Sequence, residues 1–356
     1  MLAFKYISFH YLKYFFIILI ALTGFIVGWD YMFDADSLSK SANLLLIYLV
    51  YKIFFAVDML LPLSLIFAMI TTKVFLIRSN ALVSFYSLGY SRVDILKPFV
   101  VVSTIMIMIF ISFHTSSSFS RANEYAKNIK RHGEYLSPTR DLFFTYENKY
   151  IYFSKMIPIQ KKAYGIRVFT IKNKSLKEVL VASTASYADG YWHIKEADII
   201  VKPDRLDFKS LGIKVTTKKD LEILHNFKPK MLDQVYEGKV NFTIWDGIVA
   251  FNLLKSQNVN VDAIKGSLYK IFIYPFFVPC LVVIIFFFVP ISSRSLNVSL
   301  FSFGAILATL IVWAVLFALL ELSSNKTISS EVGIILPIFI LFLVALRQWR
   351  KYRLST

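Results

Sequence analysis

The sequence predicts an α-helical membrane protein with six transmembrane helices plus an all-β, jelly-roll-like domain on the far side of the membrane from the N-terminus. Three observations lead there. The 356 residues are 56% hydrophobic, with 34 Phe and 20 Tyr, above the roughly 45–50% of an ordinary soluble domain. Charge is concentrated: residues 121–265 hold 25 of the 40 basic and 16 of the 23 acidic residues. The remainder reads as apolar runs of about the 20 residues that a crossing helix needs. The organisation expected is 1–120 for spans 1–3 with a cytoplasmic loop, 121–265 for the β domain, and 266–356 for spans 4–6.

The spans follow in order. The first covers about Tyr11 to Phe33, and no small-residue cleavage site follows its apolar run, so it is a retained span rather than a signal peptide. The second, Asn43 to Ile77, is long and holds Lys52, Asp58 and Pro62, which predicts a tilt or a kink. The third is Ile95 to Phe113, the fourth Leu268 to Pro290, the fifth Leu296 to Leu320 and the sixth Val332 to Leu346.

Lys and Arg in short loops set orientation. One side collects Lys5, Lys13, Lys73, Arg78, Arg92, Lys97, Arg294, Arg347, Arg350, Lys351 and Arg353, whereas the short loops of the other hold Lys40 and Lys326. Both termini are therefore expected in the cytoplasm and the central domain outside.

The central domain reads as β. Leu142–Tyr146 and Tyr150–Phe153 flank a plausible hairpin turn. Ile166–Ile171, Glu178–Ala182 and Tyr191–Ile194 are further strands, and Leu206–Lys209 and Leu211–Thr216 alternate with a break of phase at Ser210. Short strands without intervening helices predict a sandwich or jelly roll. From Thr243 to Ser256 the apolar spacing turns helical.

Several chemistries have no signature. The sequence contains no G-x-x-x-x-G-K-[ST], no H-E-x-x-H and no G-x-S-x-G. No Cys/His cluster suggests a metal, and the single cysteine, Cys280, lies in an apolar run and reads as a small buried hydrophobe. No cofactor, catalytic residue or nucleic-acid partner is expected. The short cytoplasmic pieces cannot fold an enzyme domain, so any energy-consuming work would need a partner that supplies the ATPase.

Three spans, a β-rich domain and three more spans, with Leu61-Pro62-Leu63-Ser64-Leu65, Leu88-Gly89-Tyr90-Ser91-Arg92, the helix Thr243–Ser256 leading to Leu268-Tyr269-Lys270 with Pro275, and the turn Pro290-Ile291-Ser292-Ser293-Arg294, resemble the lipopolysaccharide-export permeases of the LptF/LptG family. The resemblance covers essentially the whole chain. It implies a Gram-negative inner-membrane protein forming one half of an ABC transporter, paired with the other permease subunit and driven by an LptB-like ATPase dimer. It further implies that lipopolysaccharide is taken from the membrane and passed to an LptC/LptA-like bridge. Ile334-Ile335-Leu336-Pro337 and the basic C-terminus look more like LptG. Two departures stand out: Ala81 replaces an acidic residue of the family's coupling segment, and Asp30, Asp34 and Asp36 with only Lys40 lie where LptG members carry cations. A membrane-anchored ligand-binding, signalling or assembly protein, or an exporter of another lipid or of lipoproteins, is the alternative. A sensor, however, needs a cytoplasmic output domain that this sequence lacks.

Leu82, Phe85, Tyr86 and Gly89 fall on one helical face between spans 2 and 3, with Arg92 following. They read either as an interfacial loop or as a coupling helix docking in a groove of the ATPase. Asp58 is a lone acid in a span, facing a cavity, partner or other span; pairing with Lys52 is excluded because six residues separate their helix faces. Asp30 and Glu321 read as solvated ends. Lys40, Lys265 and Lys270 are outer cations that would hold lipid phosphates or simply anchor at the interface. Ile166, Val168, Ile213 and Val215 would line an acyl-chain conduit or form an ordinary core.

Overall fold

The computed structural model describes residues 2–38, 42–130, 139–146, 149–157, 161–172, 175–203, 212–225, 243–255, 261–288, 297–325 and 327–354. The chain divides into two compact units, residues 1–132, 242–247 and 262–356, and residues 133–241 and 248–261.

The first unit is helical. Its order is α1 (Leu2–Leu38), α2 (Ala42–Arg78), α3 (Ala81–Ser87), α4 (Arg92–Phe113), α5 (Ser117–Ser120) and α6 (Ala122–Lys130). After the sheet come α7 (Ile244–Lys255), whose first residues belong here, α8 (Asp262–Phe272), α9 (Phe277–Phe288), α10 (Val298–Ser324) and α11 (Leu336–Leu354). Six segments are long and apolar enough to cross a membrane: Leu2–Phe33, Ala42–Arg78, Arg92–Phe113, Ile264–Phe288, Val298–Ser324 and Glu331–Lys351. These are the six expected spans. The second keeps one continuous helix through Pro62, and its 37 residues extend about 55 Å at roughly 1.5 Å per residue. The fourth is interrupted at Tyr274–Phe276 by a 3-10 turn with Pro275 at its start, where proline's missing N–H is tolerated. The sixth begins with the π-helical turn Glu331–Ile335.

Spans 2, 3 and 4 are the centre of this unit: 61%, 50% and 56% of their apolar windows are buried, against 22%, 17% and 22% for spans 1, 5 and 6. Their shared core joins Tyr11 and Phe15 of α1, Leu65 and Met69 of α2, Phe99 of α4 and Phe277 and Phe286 of α9. Tyr11 sits wholly inside because its hydroxyl donates to the Leu65 carbonyl at 3.0 Å, satisfying a polar group that would otherwise be costly to bury. Arg121–Lys130, grouped with the central domain by charge, packs instead on the helices. Ala126 meets Tyr48 of α2, and Arg121 Nε donates to Glu124 at 3.0 Å in a buried pair.

Two charges within the spans satisfy each other. Lys52 on α2 reaches Asp30 on α1 at 2.7 Å, with side chains 15% and 32% exposed. Asp30 is therefore half-buried and paired rather than a solvated end, because Lys52 of α2 stands opposite it.

The second unit holds one antiparallel sheet in sequential order, β1 (Thr139–Tyr146), β2 (Lys149–Ile157), β3 (Lys162–Lys172), β4 (Ser175–Ala188), β5 (Tyr191–Val201) and β6 (Lys214–Ile223). The expected hairpin is present, with Leu142 opposite Phe153 and Tyr146 opposite Lys149. Leu206–Lys209 and the break at Ser210 lie outside the described residues. One face is packed around Trp192, whose ring meets Phe153 at 5.3 Å and Tyr187 at 5.6 Å. Strand residues ordinarily alternate between faces with period two. At one level across the sheet the buried positions are three apart instead: Phe153 and Met156, Ala163 and Ile166, Ala182 and Ala185, Ile194 and Ala197. Asp141 and Asp220, both with φ 52°, continue this row into the edge strands. The ladder keeps one register on both sides of this row, so no residue is inserted there, and the change of buried face marks a crease across the sheet. Gly165 lies on it with φ +60°, and a Cβ there would come 2.7 Å from the Ser154 Cβ.

Two outcomes follow from this packing. Gly165→Ala should cost about 2 kcal/mol or more, from left-handed strain plus the clash, whereas Gly212→Ala, with φ +67° but open space, bears the backbone cost alone. Protease resistance of the central domain on heating, measured in membranes, should fall further for the first. Second, Lys52→Met should destabilise the detergent-solubilised protein by about 1–3 kcal/mol by leaving Asp30 unpaired. Adding Asp30→Leu should restore most of that loss in thermal unfolding.

Candidate functional site

The most clearly built local structure is the turn between spans 2 and 3. Asn80 takes the left-handed conformation, φ 56°, and its carbonyl accepts from Ser84 N at 3.1 Å, starting α3. The helix lasts seven residues and is closed by Gly89 at φ +85°. Gly89 N donates to Tyr86 O at 3.0 Å and Tyr90 N to Phe85 O at 3.1 Å. This paired closure satisfies the last carbonyls of a helix and needs a residue tolerant of positive φ. The apolar contact that accompanies it is the Tyr90 ring beside Phe85, 6.1 Å between centroids. The next helix starts immediately. Ser91 Oγ accepts from Asp94 N at 3.1 Å, and Asp94 returns a bond from Ser91 N at 3.3 Å, a reciprocal capping box. Lys97 holds the same carboxylate at 2.7 Å. Leu88-Gly89-Tyr90-Ser91-Arg92 is thus a compact code for ending one helix and beginning the next.

This closure turns α3 in a particular direction. Leu82 is fully buried in the helical core. Phe85 is half-buried against Tyr6 of α1, 6.0 Å between centroids, beside a stack of His10 on Phe75 at 4.8 Å. Tyr86 is half-buried as well; burial pushes its hydroxyl above the ordinary phenol range, partly offset by the nearby Arg92 cation. The face expected to meet a partner therefore packs on the chain itself. The exposed edge consists of Val83 (44%), Ser84, Ser87, Leu88 (73%) and Gly89. The missed signal was Tyr90: as the apolar residue after the closing glycine it draws Phe85 inward, whereas periodicity alone marks a stripe without saying what covers it.

Asp58 is not alone in its span. Its carboxylate lies 3.0 Å from His114 Nε2 at the end of α4. The other ring nitrogen of His114 faces the Phe110 carbonyl at 3.2 Å, and the ring stands edge-on to Phe110 and Phe119 at 4.9 and 5.1 Å. The His114 carbonyl accepts from Ile244 N at 3.1 Å. The pair joins span 2 to the corner after span 3, through a histidine that no sequence spacing relates to Asp58.

The proposed lipid-binding cations differ in their surroundings. Lys265 lies between Glu331 at 3.4 Å and Asp262 at 3.7 Å, so its charge is compensated within the chain. Lys270 is exposed, and Lys40 lies outside the described residues. The four apolar positions of the sheet do not share one environment. Ile166 and Val168 are buried in the packed face, whereas Ile213 and Val215 are 64% and 60% exposed, because they lie just before and at the start of β6, the last strand of the sheet in order. Among the described residues no cluster of His, Cys, Asp or Glu could hold a metal ion.

No match is found among curated proteins. The model of one family, described as lipopolysaccharide export system permease LptF/LptG, matches residues 5–351. Six apolar helices and a β-sheet unit, joined by a match over nearly the entire length, place this multi-pass inner-membrane chain in the LptF/LptG family of lipopolysaccharide export permeases.

Proposed function

We propose that this chain is one half of the membrane part of an ATP-driven exporter that lifts lipopolysaccharide from the inner membrane and passes it to a periplasmic bridge. The match to the permease family over residues 5–351 carries the reading. The other permease subunit would complete the membrane part, an LptB-like ATPase dimer would drive it, and an LptC/LptA-like bridge would receive the lipid. The sparse cover on spans 1 and 5 supports a second membrane half, since their apolar faces are available for packing or for acyl chains. This subunit is non-catalytic in the proposal, its sequence having no phosphate-binding loop. The lopsided Lys and Arg distribution supports cytoplasmic termini and a periplasmic sheet unit.

The α3 turn is the coupling element in this proposal. Phe85 and Tyr86 set its angle from beneath, and Val83, Ser84, Ser87 and Leu88 meet the ATPase. Ala81 removes the acidic contact that the family's coupling segment usually offers, which leaves apolar packing as the main attachment.

Affinity purification through a tag on this chain tests the whole reading. Co-purification of an ATPase and of lipopolysaccharide is expected; a stable preparation with neither contradicts it. Orientation is checked in a Cys280→Ser background. Lys174→Cys should react with a membrane-impermeant thiol reagent in spheroplasts and Leu354→Cys should not; the reverse pattern inverts the topology. Coupling separates by face. Leu88→Asp should weaken ATPase binding about thirtyfold, the size of a hot-spot loss of about 2 kcal/mol, with unchanged thermal stability. Phe85→Ala should lower both stability and binding. Gly89→Ala should cost about 1 kcal/mol of stability through its positive φ, and Gly89→Asn less.

A further inference from the structure

His114 ends α4 with its side chain 9% exposed, and both of its ring nitrogens face acceptors. Nε2 lies 3.0 Å from an Asp58 carboxylate oxygen, and Nδ1 lies 3.2 Å from the Phe110 carbonyl. A carbonyl and an ionised carboxylate only accept hydrogen bonds, whereas a neutral imidazole has one N–H to donate. Neutral His114 beside ionised Asp58 would therefore set a nitrogen lone pair against a carboxylate, at a separation that admits no water. Both bonds are made only when the pair carries one further proton, either as imidazolium and carboxylate or as neutral imidazole and carboxylic acid. The helix end supports the same count. The Phe110 carbonyl belongs to the last turn of α4, where open carbonyls attract a positive charge.

The histidine also gathers backbone. Its carbonyl accepts from Ser120 Oγ at 2.9 Å and from Ile244 N at 3.1 Å, so holding His114 holds α5 and the first turn of α7 against the end of span 3. Phe110 and Phe119 stand edge-on to the ring. The other charges on the surrounding elements are engaged or distant. Lys52 of α2 is bound to Asp30 of α1 at 2.7 Å, and Arg121 to Glu124 of α6 at 3.0 Å. Arg92, Asp94 and Lys97 stand at the far end of α4, α5 carries no charge, and Asp246 lies in the first turn of α7. Among the described residues Asp58 is the one charged group within 4.0 Å of the ring. His114 follows the last residue of span 3, at the edge of the membrane, and Asp58 is 31% exposed, so a proton can exchange there with water. We infer that Asp58 and His114 together bind a proton, and that this proton clasps span 2, the end of span 3 and the first turn of α7 into a pH-sensitive joint. Raising the pH removes the proton, sets two acceptors face to face and loosens the joint. The inference rests on this geometry and not on the proposed transport.

Hydrogen–deuterium exchange of the full-length protein in mild detergent, read by mass spectrometry on the peptide carrying the Ile244 amide, tests this. Protection, corrected for the intrinsic exchange rate at each pH, should fall about tenfold or more between about pH 6 and about pH 9, as one proton leaves. Peptides from α9 should not follow, which separates opening of the joint from global unfolding. Asp58→Asn keeps both contacts without the extra proton, since a neutral imidazole donates to Phe110 through Nδ1 while Nε2 accepts from the new amide. Its Ile244 protection should not change with pH. His114→Gln donates to Asp58 through an amide that does not titrate, and should give a flat profile as well. Constant protection in the wild type overturns the proposal, because the pair is then a fixed structural contact. So does a fall of equal size in Asp58→Asn or in His114→Gln, which places the titrating group elsewhere. The wild-type profile with either variant decides the matter if the other does not accumulate.

Discussion

The charged side chains of the second span constrain everything around it. An uncompensated charge in a hydrocarbon environment is costly, so each must find a partner before the helix can settle. Lys52 finds Asp30 on α1. Asp58 finds His114 at the end of α4. Lys73, almost wholly buried, donates to the Phe286 carbonyl in the last turn of α9 and lies over the Phe286 ring, 3.6 Å from its centre. A cation there complements the negative end of a helix dipole and the face of an aromatic ring together. One long helix is thus fastened to spans 1, 3 and 4 by three polar contacts at different depths. Apolar packing alone would leave its rotation and height loosely set, because lipid tails compete with side chains on nearly equal terms.

Cover is uneven around this fastened helix. Spans 2, 3 and 4 are drawn together, while spans 1, 5 and 6 leave most of their apolar surface uncovered. For spans 1 and 5 the cover proposed is a second permease half. The α3 turn lies directly after span 2 and is tied to it through Leu82 and to α1 through Phe85 and Tyr6. A partner pressing on Leu88 therefore pushes on the same helix that carries the three charged contacts. In the proposed transporter this would be the route from the ATPase to the middle of the bundle.

Much of this was legible in the sequence, for physical reasons that differ from element to element. The spans were readable because about 20 apolar residues have few alternatives to crossing a membrane, and the hairpin at Glu147–Lys149 because alternation and turn residues agree on it. Which surface a residue meets was legible at Cys280, Ile166 and Val168, which are buried as their apolar surroundings in the sequence suggest, and not where the neighbour comes from a distant segment. Asp30, read as a solvated end, meets Lys52 of α2, Lys265, read as a headgroup cation or an anchor, stands beside Glu331, and Ile213 and Val215 alternate as a buried strand would while lying exposed at its start. The crease through Gly165 was equally hidden, because a shift of buried spacing from two to three on four strands becomes meaningful only when their registers are known.

In the proposed cycle this chain helps convert ATP hydrolysis into one-way extraction of a lipid. Proteoliposomes holding lipopolysaccharide, this chain, the second permease subunit and the ATPase, mixed with a soluble bridge protein carrying a photo-crosslinker, measure that conversion directly. Lipopolysaccharide should become crosslinked to the bridge protein only when ATP and this chain are both present. Transfer that proceeds at the same rate without the chain, or ATP hydrolysis that continues in the complete system while the lipid stays in the liposomes, would contradict it.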